Sequence, residues 1–171
     1  YMLARDSLMP WKTALGNAMF GMEVRGVPRA QAQERAQAML QEVGLAGFEN
    51  ALPKALSHGM RQRVALARTF AMGSQLLLMD EPFGALDAQT KLQLEDLLLR
   101  LCQQHKQSVL FVTHDLSEAV AVSDRVVVMT SRPGRIVADI TIDLPRPRSI
   151  RELQKDPHFH ELYAQLWSHL E

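Results

Sequence analysis

A short, wholly apolar run followed at once by two acids limits most strongly how this chain can fold. Residues 76–79 read Leu-Leu-Leu-Met, and Asp80 and Glu81 follow directly. Such a run is typical of a strand that is buried on both faces of a parallel sheet. Neighbouring strand residues point to opposite faces, so one carboxylate can hold Mg²⁺ while the other orients or deprotonates a water molecule. An ordinary acidic turn is the alternative interpretation.

The rest of the chain divides into a helical first half and a second half in which strands alternate with helices. This alternation predicts an α/β fold with a mostly parallel sheet and right-handed crossovers, and the helical half predicts a subdomain. The predicted helices cover about 13–22, 28–43, 57–72, 88–104, 116–122 and 150–170, and the predicted strands 76–79, 108–113, 125–129 and 136–142.

Composition limits the possible partners. The 171 residues contain 19 basic and 19 acidic side chains, so nothing indicates a bulk nucleic-acid footprint, and we expect no nucleic-acid partner. No apolar run reaches the roughly 18 residues that a membrane-crossing helix needs. Work at a membrane therefore requires docking onto another subunit.

Two further elements carry residues suited to phosphate. The second predicted strand ends at Thr113 and His114, and an imidazole can donate a hydrogen bond to a phosphate oxygen near neutral pH. Ser57 opens a helix whose first N–H groups and dipole favour an anion, and Gly59 allows a close backbone approach. Taken alone, His114 is as well explained as a loop or capping residue, and Ser57 as a plain N-cap.

Taken together and in this order, these elements resemble the ATP-binding cassette (ABC) family. Residues 56–60 are similar to the family's signature sequence, and residues 76–81 are similar to its Walker B strand. Residues 84–87 resemble the D-loop, and His114 resembles the switch histidine. The resemblance covers essentially the whole chain.

The resemblance implies a P-loop NTPase-like α/β fold, mostly parallel, with a helical subdomain and without its N-terminal part. On this basis, residues 1–73 would contain the Q-loop region, helical subdomain and signature helix. Residues 74–148 would form the RecA-like core with Walker B, D-loop and switch histidine, and residues 149–171 the C-terminal helix.

The family's mechanism implies a head-to-tail dimer of two copies that clamps ATP and Mg²⁺. Asp80 would serve Mg²⁺, and Glu81 and His114 would be catalytic. Asp87 would link the two sites across the interface. Ser57 and Gly59 would contact the γ-phosphate of ATP held mainly by the other copy. His58 and Met60 would belong to the same cofactor-binding segment.

Three segments resemble a subgroup, the ATPases of nitrate, sulfonate and taurine importers: residues 8–11, 131–136 and 144–148. This likeness implies a transmembrane permease as partner and, indirectly, a periplasmic or extracellular substrate-binding protein. It places the protein peripherally on the cytoplasmic face of the cell membrane. Residues 4–11 and the helices up to Val43 would form the surface that grips the permease.

The chain departs from the family pattern in three respects. It contains no GxxxxGK[ST] loop, because Met22 and Val27 stand where that pattern needs lysine. The family has this loop upstream of residue 1, so we expect a fragment with little or no ATP hydrolysis. Ala4 occupies the Q-loop glutamine position, and His58 and Met60 replace the first glycine and the glutamine of the signature.

Two other functions remain open. A soluble ABC ATPase of translation or DNA repair usually carries two cassettes or a long coiled-coil insertion, and this chain shows neither. A decayed cassette acting as a non-catalytic dimerisation or regulatory module predicts the loss of Glu81 or His114, and both are present.

Overall fold

The computed structural model describes residues 1–2, 6–84 and 86–170. Every predicted strand is present there, and so is every predicted helix except the terminal one, which is divided in two; most ends lie within two residues of the expected position. The elements in chain order are α1 (Ala14–Val24), α2 (Arg29–Glu42), a 3₁₀ turn (Pro53–Ala55), α3 (His58–Ala71), β1 (Leu76–Asp80), α4 (Ala88–His105), β2 (Ser108–Val112), α5 (Leu116–Val122), β3 (Arg125–Met129), β4 (Ile136–Thr141), α6 (Ile150–Leu153) and α7 (Pro157–Trp167).

The chain forms two compact units, Tyr1–Leu110 and Phe111–Glu171, and the division falls within β2. The first unit is mainly helical: α1, α2 and α3 pack against one another, and α3 also packs against α4. Helix α2 buries the stripe that its periodicity predicts: Ala32, Ala36, Met39 and Leu40.

Strands β1 and β2 are neighbours in the small parallel sheet of the α/β fold. Met2 pairs with Met79 in a parallel bridge on β1. The expectation that β1 is buried on both faces is wrong. Leu77 and Met79 are buried, whereas Leu76 is 56% exposed and Leu78 38% exposed. The described part of this unit covers one face of the strand and leaves the alternate side chains open.

In the second unit, β3 and β4 pair antiparallel, with a register shift between Val128 and Met129. The Thr130 hydroxyl accepts a hydrogen bond from the Arg135 amide at 3.0 Å, which closes the turn between the strands. These two strands therefore form a hairpin of their own.

The single predicted terminal helix is two helices, α6 and α7. Asp156 interrupts it by accepting a hydrogen bond from the His158 amide at 2.9 Å, and Pro157 then begins α7 without an N–H to continue α6. Phe159, Leu162 and Leu166 of α7 are buried, whereas Trp167 is 51% exposed.

A buried arginine holds the segment between β4 and α6. The Arg148 side chain is 1% exposed, and its guanidinium donates to the carbonyls of Ser123, Ile142 and Leu144. Burial, reinforced by nearby Arg146, lowers the pKa of Arg148. A planar guanidinium with several donors suits this role, because it satisfies several loop carbonyls at once.

The N-terminus of α7 carries a pH-dependent contact. His158 Nε2 lies 2.6 Å from Asp143 Oδ1, and Nδ1 lies 3.2 Å from Glu161 Oε2. The hydrogen bond with Asp143, then that with Glu161, raises the pKa of His158, and the His158 contact lowers the pKa of Asp143. The contribution to stability is therefore complete below about pH 6.5 and is lost as pH rises through the raised pKa. The contribution to stability is also lost in acid, as pH falls through the lowered pKa of Asp143 and its carboxylate is protonated.

We predict that Asp143→Asn lowers the melting temperature at pH 5.5 and leaves it unchanged at pH 9, where His158 is neutral. His158→Gln should give the same pattern, and the double variant should show no further loss. Thermal unfolding followed by circular dichroism measures the effect. An equal loss at both pH values would contradict the role of the charged histidine.

Candidate functional site

The N-terminal tips of α3 and α4 form the first part of the site. The Ser57 hydroxyl caps α3 by accepting a hydrogen bond from the Met60 amide at 3.2 Å. Asp87 caps α4 by accepting one from the Thr90 amide at 3.0 Å. A Cβ atom added to Gly59 would lie 2.8 Å from Thr90 Cγ2, so the two tips are in contact. Glycine at position 59 therefore avoids a steric clash with the Thr90 side chain.

Thr90 connects the two tips with different atoms. Its methyl group faces Gly59 on α3. Its side-chain hydrogen bond with Asp87, followed by the backbone hydrogen bond, lowers the pKa of that carboxyl. Asp87 is thus held ionised next to the residues of the α3 tip.

The second part of the site is the end of β1. The Asp80 amide donates to the Met2 carbonyl at 2.9 Å, and the Asp80 carboxylate accepts from the Tyr1 hydroxyl at 3.2 Å. Glu81 has a φ of 46°, in the left-handed region. This conformation costs a non-glycine residue about 1–2 kcal/mol and is concentrated at functional sites. The chain turns sharply there, since the Gly84 amide donates to the Glu81 carbonyl at 3.2 Å.

His114 lies in the second unit, in the turn between β2 and α5, and is exposed. Asp115, the next residue, caps α5 by accepting hydrogen bonds from the amides of Ser117 and Glu118 at 2.9 and 3.2 Å.

The structure therefore brings together Ser57, His58, Gly59, Met60 and Asp87 at adjoining helix tips. Asp80 and Glu81 lie in the same unit, at the end of β1. Ala4, at the Q-loop position, and Ala85, in the D-loop segment, lie outside the described residues.

The sequence reasoning missed the residues that hold the Trp11 loop, residues 6–13. Asn17 is fully buried, and its amide group donates to the carbonyls of Met9, Lys12 and Thr13 at 3.0–3.1 Å. Its oxygen accepts from the Met9 amide at 2.7 Å. The available signal was an asparagine among the apolar residues of a predicted helix, where such a residue is unfavourable unless its side chain has a purpose.

Two arginines of α3 hold the same loop from the other side. Arg61 Nε donates to Asp6 Oδ2 at 2.9 Å, and Arg68 donates to the carbonyls of Asp6 and Ser7, both at 2.9 Å. Between these anchors, Trp11 is 75% exposed. A large aromatic side chain on an anchored loop is suited to binding another protein.

A family model described as ABC transporter matches residues 1–84, which contain the α3 tip, β1 and Glu81. The chain belongs to the ABC transporter family. Within the described residues, no helix has the length and apolarity that crossing a membrane demands.

Several curated ABC proteins are similar over most of this chain. An uncharacterized ABC transporter ATP-binding protein of Methanocaldococcus jannaschii is 54% identical over 142 residues, which are 83% of this chain and 53% of that protein. An aliphatic sulfonates import ATP-binding protein of Mesorhizobium japonicum is 48% identical over 95% of this chain and 61% of its own length.

A taurine import ATP-binding protein of Rhizobium johnstonii is 42% identical over 95% of this chain and 63% of its own length. The chain thus spans about half to three fifths of the length of these relatives.

The contact between Gly59 and Thr90 predicts that Gly59→Ala changes the free energy of unfolding in the direction opposite to the usual one. Replacing glycine by alanine in a helix normally stabilises a protein by about 0.4–1 kcal/mol. Here we expect Gly59→Ala to lower the free energy of unfolding by about 1–3 kcal/mol, because the new Cβ overpacks against Thr90 Cγ2. Urea denaturation of this chain measures the change.

Two substitutions of Thr90 separate its atoms. Thr90→Ser removes the methyl group and keeps the hydroxyl, so Gly59→Ala should become neutral or stabilising in that background. Thr90→Val keeps a methyl group and removes the hydroxyl, so it should not restore the stability that Gly59→Ala loses. If Gly59→Ala stabilises the protein with Thr90 intact, the two tips are not in tight contact.

Proposed function

We propose that this chain is part of the ATP-binding subunit of an ABC importer and that the subunit energises a membrane permease. One observation carries the proposal: α3 joins the Trp11 loop to the Ser57 tip. Arg61 and Arg68 of this helix hold the loop, and its first turn, which also carries Arg61, packs through Gly59 on Thr90 beside Asp87. A movement imposed on the loop by a partner is thereby passed to the tip by a rigid element.

The α3 tip is suited to a phosphate group. The amides of Met60 and Arg61 are taken by the side chain and carbonyl of Ser57. The preceding amides, of His58 and Gly59, remain for an anion by the general rule for helix N-termini. In our proposal, Ser57, His58, Gly59 and Met60 contact the γ-phosphate of ATP bound mainly by a second copy in a head-to-tail dimer.

Carboxylate oxygens are the ligands that Mg²⁺ prefers, and Asp80 and Glu81 supply them at the carboxyl end of β1. Asp80 would hold the ion, which neutralises phosphate charge when bound. Glu81 accepts the proton of the attacking water, and its sharp turn directs it away from the line of β1. His114 donates a hydrogen bond to a phosphate oxygen, and Asp87 contacts the other copy.

The transported solute is proposed to be a nitrate-, sulfonate- or taurine-like anion. Support comes from the segments at 8–11, 131–136 and 144–148 and from the similarity to sulfonate and taurine import proteins. The subunit would work on the cytoplasmic face of the membrane. It would bind the permease directly through the Trp11 loop, and a substrate-binding protein would act indirectly.

The chemistry is tested by comparing Glu81→Gln with wild type in the complete ATPase. We expect kcat to fall by about 10²–10⁴-fold, the usual contribution of a general base. Glu152→Gln is the matched control, because Glu152 is exposed on α6 and pairs with Lys155 in a surface contact. This chain by itself should hydrolyse little or no ATP. Equal rates for wild type and Glu81→Gln would instead support the non-catalytic module.

Permease docking is tested separately with Trp11→Ala. Loss of an exposed aromatic anchor typically weakens binding by about 2 kcal/mol or more, so the affinity for the cognate permease in nanodiscs should fall roughly 30-fold. Trp167→Ala, which removes the same side chain from the exposed face of α7, should change the affinity less than twofold. Equal effects of the two substitutions would exclude the Trp11 loop as the docking surface.

A further inference from the structure

The turn that carries His114 is closed by a hydrogen bond between its two neighbours. The Asp115 amide donates to the Thr113 hydroxyl oxygen at 3.0 Å, so His114 is the central residue of a tied turn. A tied turn restricts the backbone of its central residue without contacting its side chain. The imidazole is thereby presented from a fixed base at the surface of the second unit.

Glu118, in the first turn of α5, forms hydrogen bonds with both sequence neighbours of His114. Its amide donates to Asp115 Oδ1 at 3.2 Å, and its carboxylate oxygen Oε2 accepts the proton of the Thr113 hydroxyl. The Thr113 hydroxyl therefore donates to Glu118 and accepts from Asp115. With its proton directed to the carboxylate, the hydroxyl oxygen can only accept from the backbone, and such chained hydrogen bonds strengthen one another.

Capping of α5 does not explain the carboxylate. Asp115 already caps this helix, because its Oδ1 accepts from the Ser117 amide at 2.9 Å and from the Ser117 hydroxyl at 2.8 Å. The Glu118 residue is 3% exposed, and burying a carboxylate is unfavourable unless hydrogen bonds compensate for the lost water. An acidic side chain is favourable in the first turn of a helix, and the hydrogen bond with Thr113 gives this one a second role.

We propose that Glu118 is a positioning residue that acts through Thr113 to fix His114 for its hydrogen bond to a phosphate oxygen. The inference rests on the function proposed above for His114. It adds two residues, Glu118 and Thr113, whose contribution is made without contact to the nucleotide. Their removal should lower the rate of the chemical step and leave nucleotide affinity nearly unchanged.

The first experiment measures the turn itself, in this 171-residue chain. Amide hydrogen exchange followed by NMR reports the hydrogen bond of the Asp115 amide. Thr113→Val should raise the exchange rate of that amide about tenfold, the usual effect of one lost hydrogen bond. Thr113→Ser, which keeps the hydroxyl, should leave it within twofold. Equal protection in the Val and Ser variants would overturn the proposal.

Two variants of Glu118 test its part in the same measurement. Glu118→Gln keeps the shape and an acceptor oxygen, so Asp115 should stay mostly protected. Glu118→Leu fills the space without an acceptor and should raise exchange at Asp115 while the core amides of α5 keep their protection. An unchanged Asp115 amide in Glu118→Leu overturns the role of the carboxylate.

The second experiment measures catalysis in the complete ATPase. Misplacement of a reacting group by about 1 Å can cost about 10²-fold, so we expect Thr113→Val and Glu118→Leu to lower kcat by about 10–100-fold. The KM for ATP should stay within twofold, and Thr113→Ser should restore activity. In a His114→Ala background, neither substitution should reduce kcat further.

The outcomes separate the inference from the function on which it rests. Full additive losses in the His114→Ala background would overturn the role of Glu118 alone, because its effect would not pass through His114. If His114→Ala hydrolyses ATP like wild type, the role proposed for His114 fails and the positioning role of Glu118 fails with it. The exchange measurement would still report the tied turn in that case.

Discussion

Burial of α3 is the constraint on which the first unit depends. Most of this helix is covered, including Val64, Leu66 and Phe70, and it contacts α1, α2 and α4. Each fully buried aliphatic or aromatic side chain contributes about 1.5–3 kcal/mol, so the helix has little freedom to shift. Its partly exposed faces are then available for other work, and Arg61 and Arg68 use them to hold the Trp11 loop.

Helix α3 holds the Trp11 loop at two levels. Arg61 and Arg68 are separated by about 10 Å along the helix, at 1.5 Å per residue, and Arg61 lies within one turn of the Ser57 tip. The loop is therefore attached to the same helix whose first turn forms the tip. Gly59 and Thr90 extend the same rigid group to the cap of α4. A partner on the loop and an anion at the tip would thus act on one body.

Most of the fold was predictable because its signals are local. Helix ends follow from capping residues such as Thr13, Ser57 and Asp87, and each accepts a backbone hydrogen bond. The strand that ends in Asp80 follows from its apolar run. Local patterns also suffice for the buried stripe of α2, since one helical periodicity determines it.

The sequence did not predict the features that depend on contacts with distant residues or on a single backbone angle. Leu76 and Leu78 are exposed because burial depends on what covers each face, which the run of leucines does not encode. The left-handed conformation of Glu81 has no sequence signal, because glutamate rarely adopts it. Arg148 gave no sign that it would be buried, since arginine is ordinarily a surface residue and its partners are carbonyls from two different segments.

The three candidate phosphate-contacting regions share a physical device, a polar side chain at a helix N-cap. Ser57 caps α3, Asp87 caps α4, and Asp115, beside His114, caps α5. A cap fixes the backbone where the chain enters the helix, and it does so with one short side chain rather than a large buried surface. Residues next to the cap can then face solvent and still hold their position. His114 is exposed, and its turn is tied a second time, through Thr113 to the buried carboxylate of Glu118.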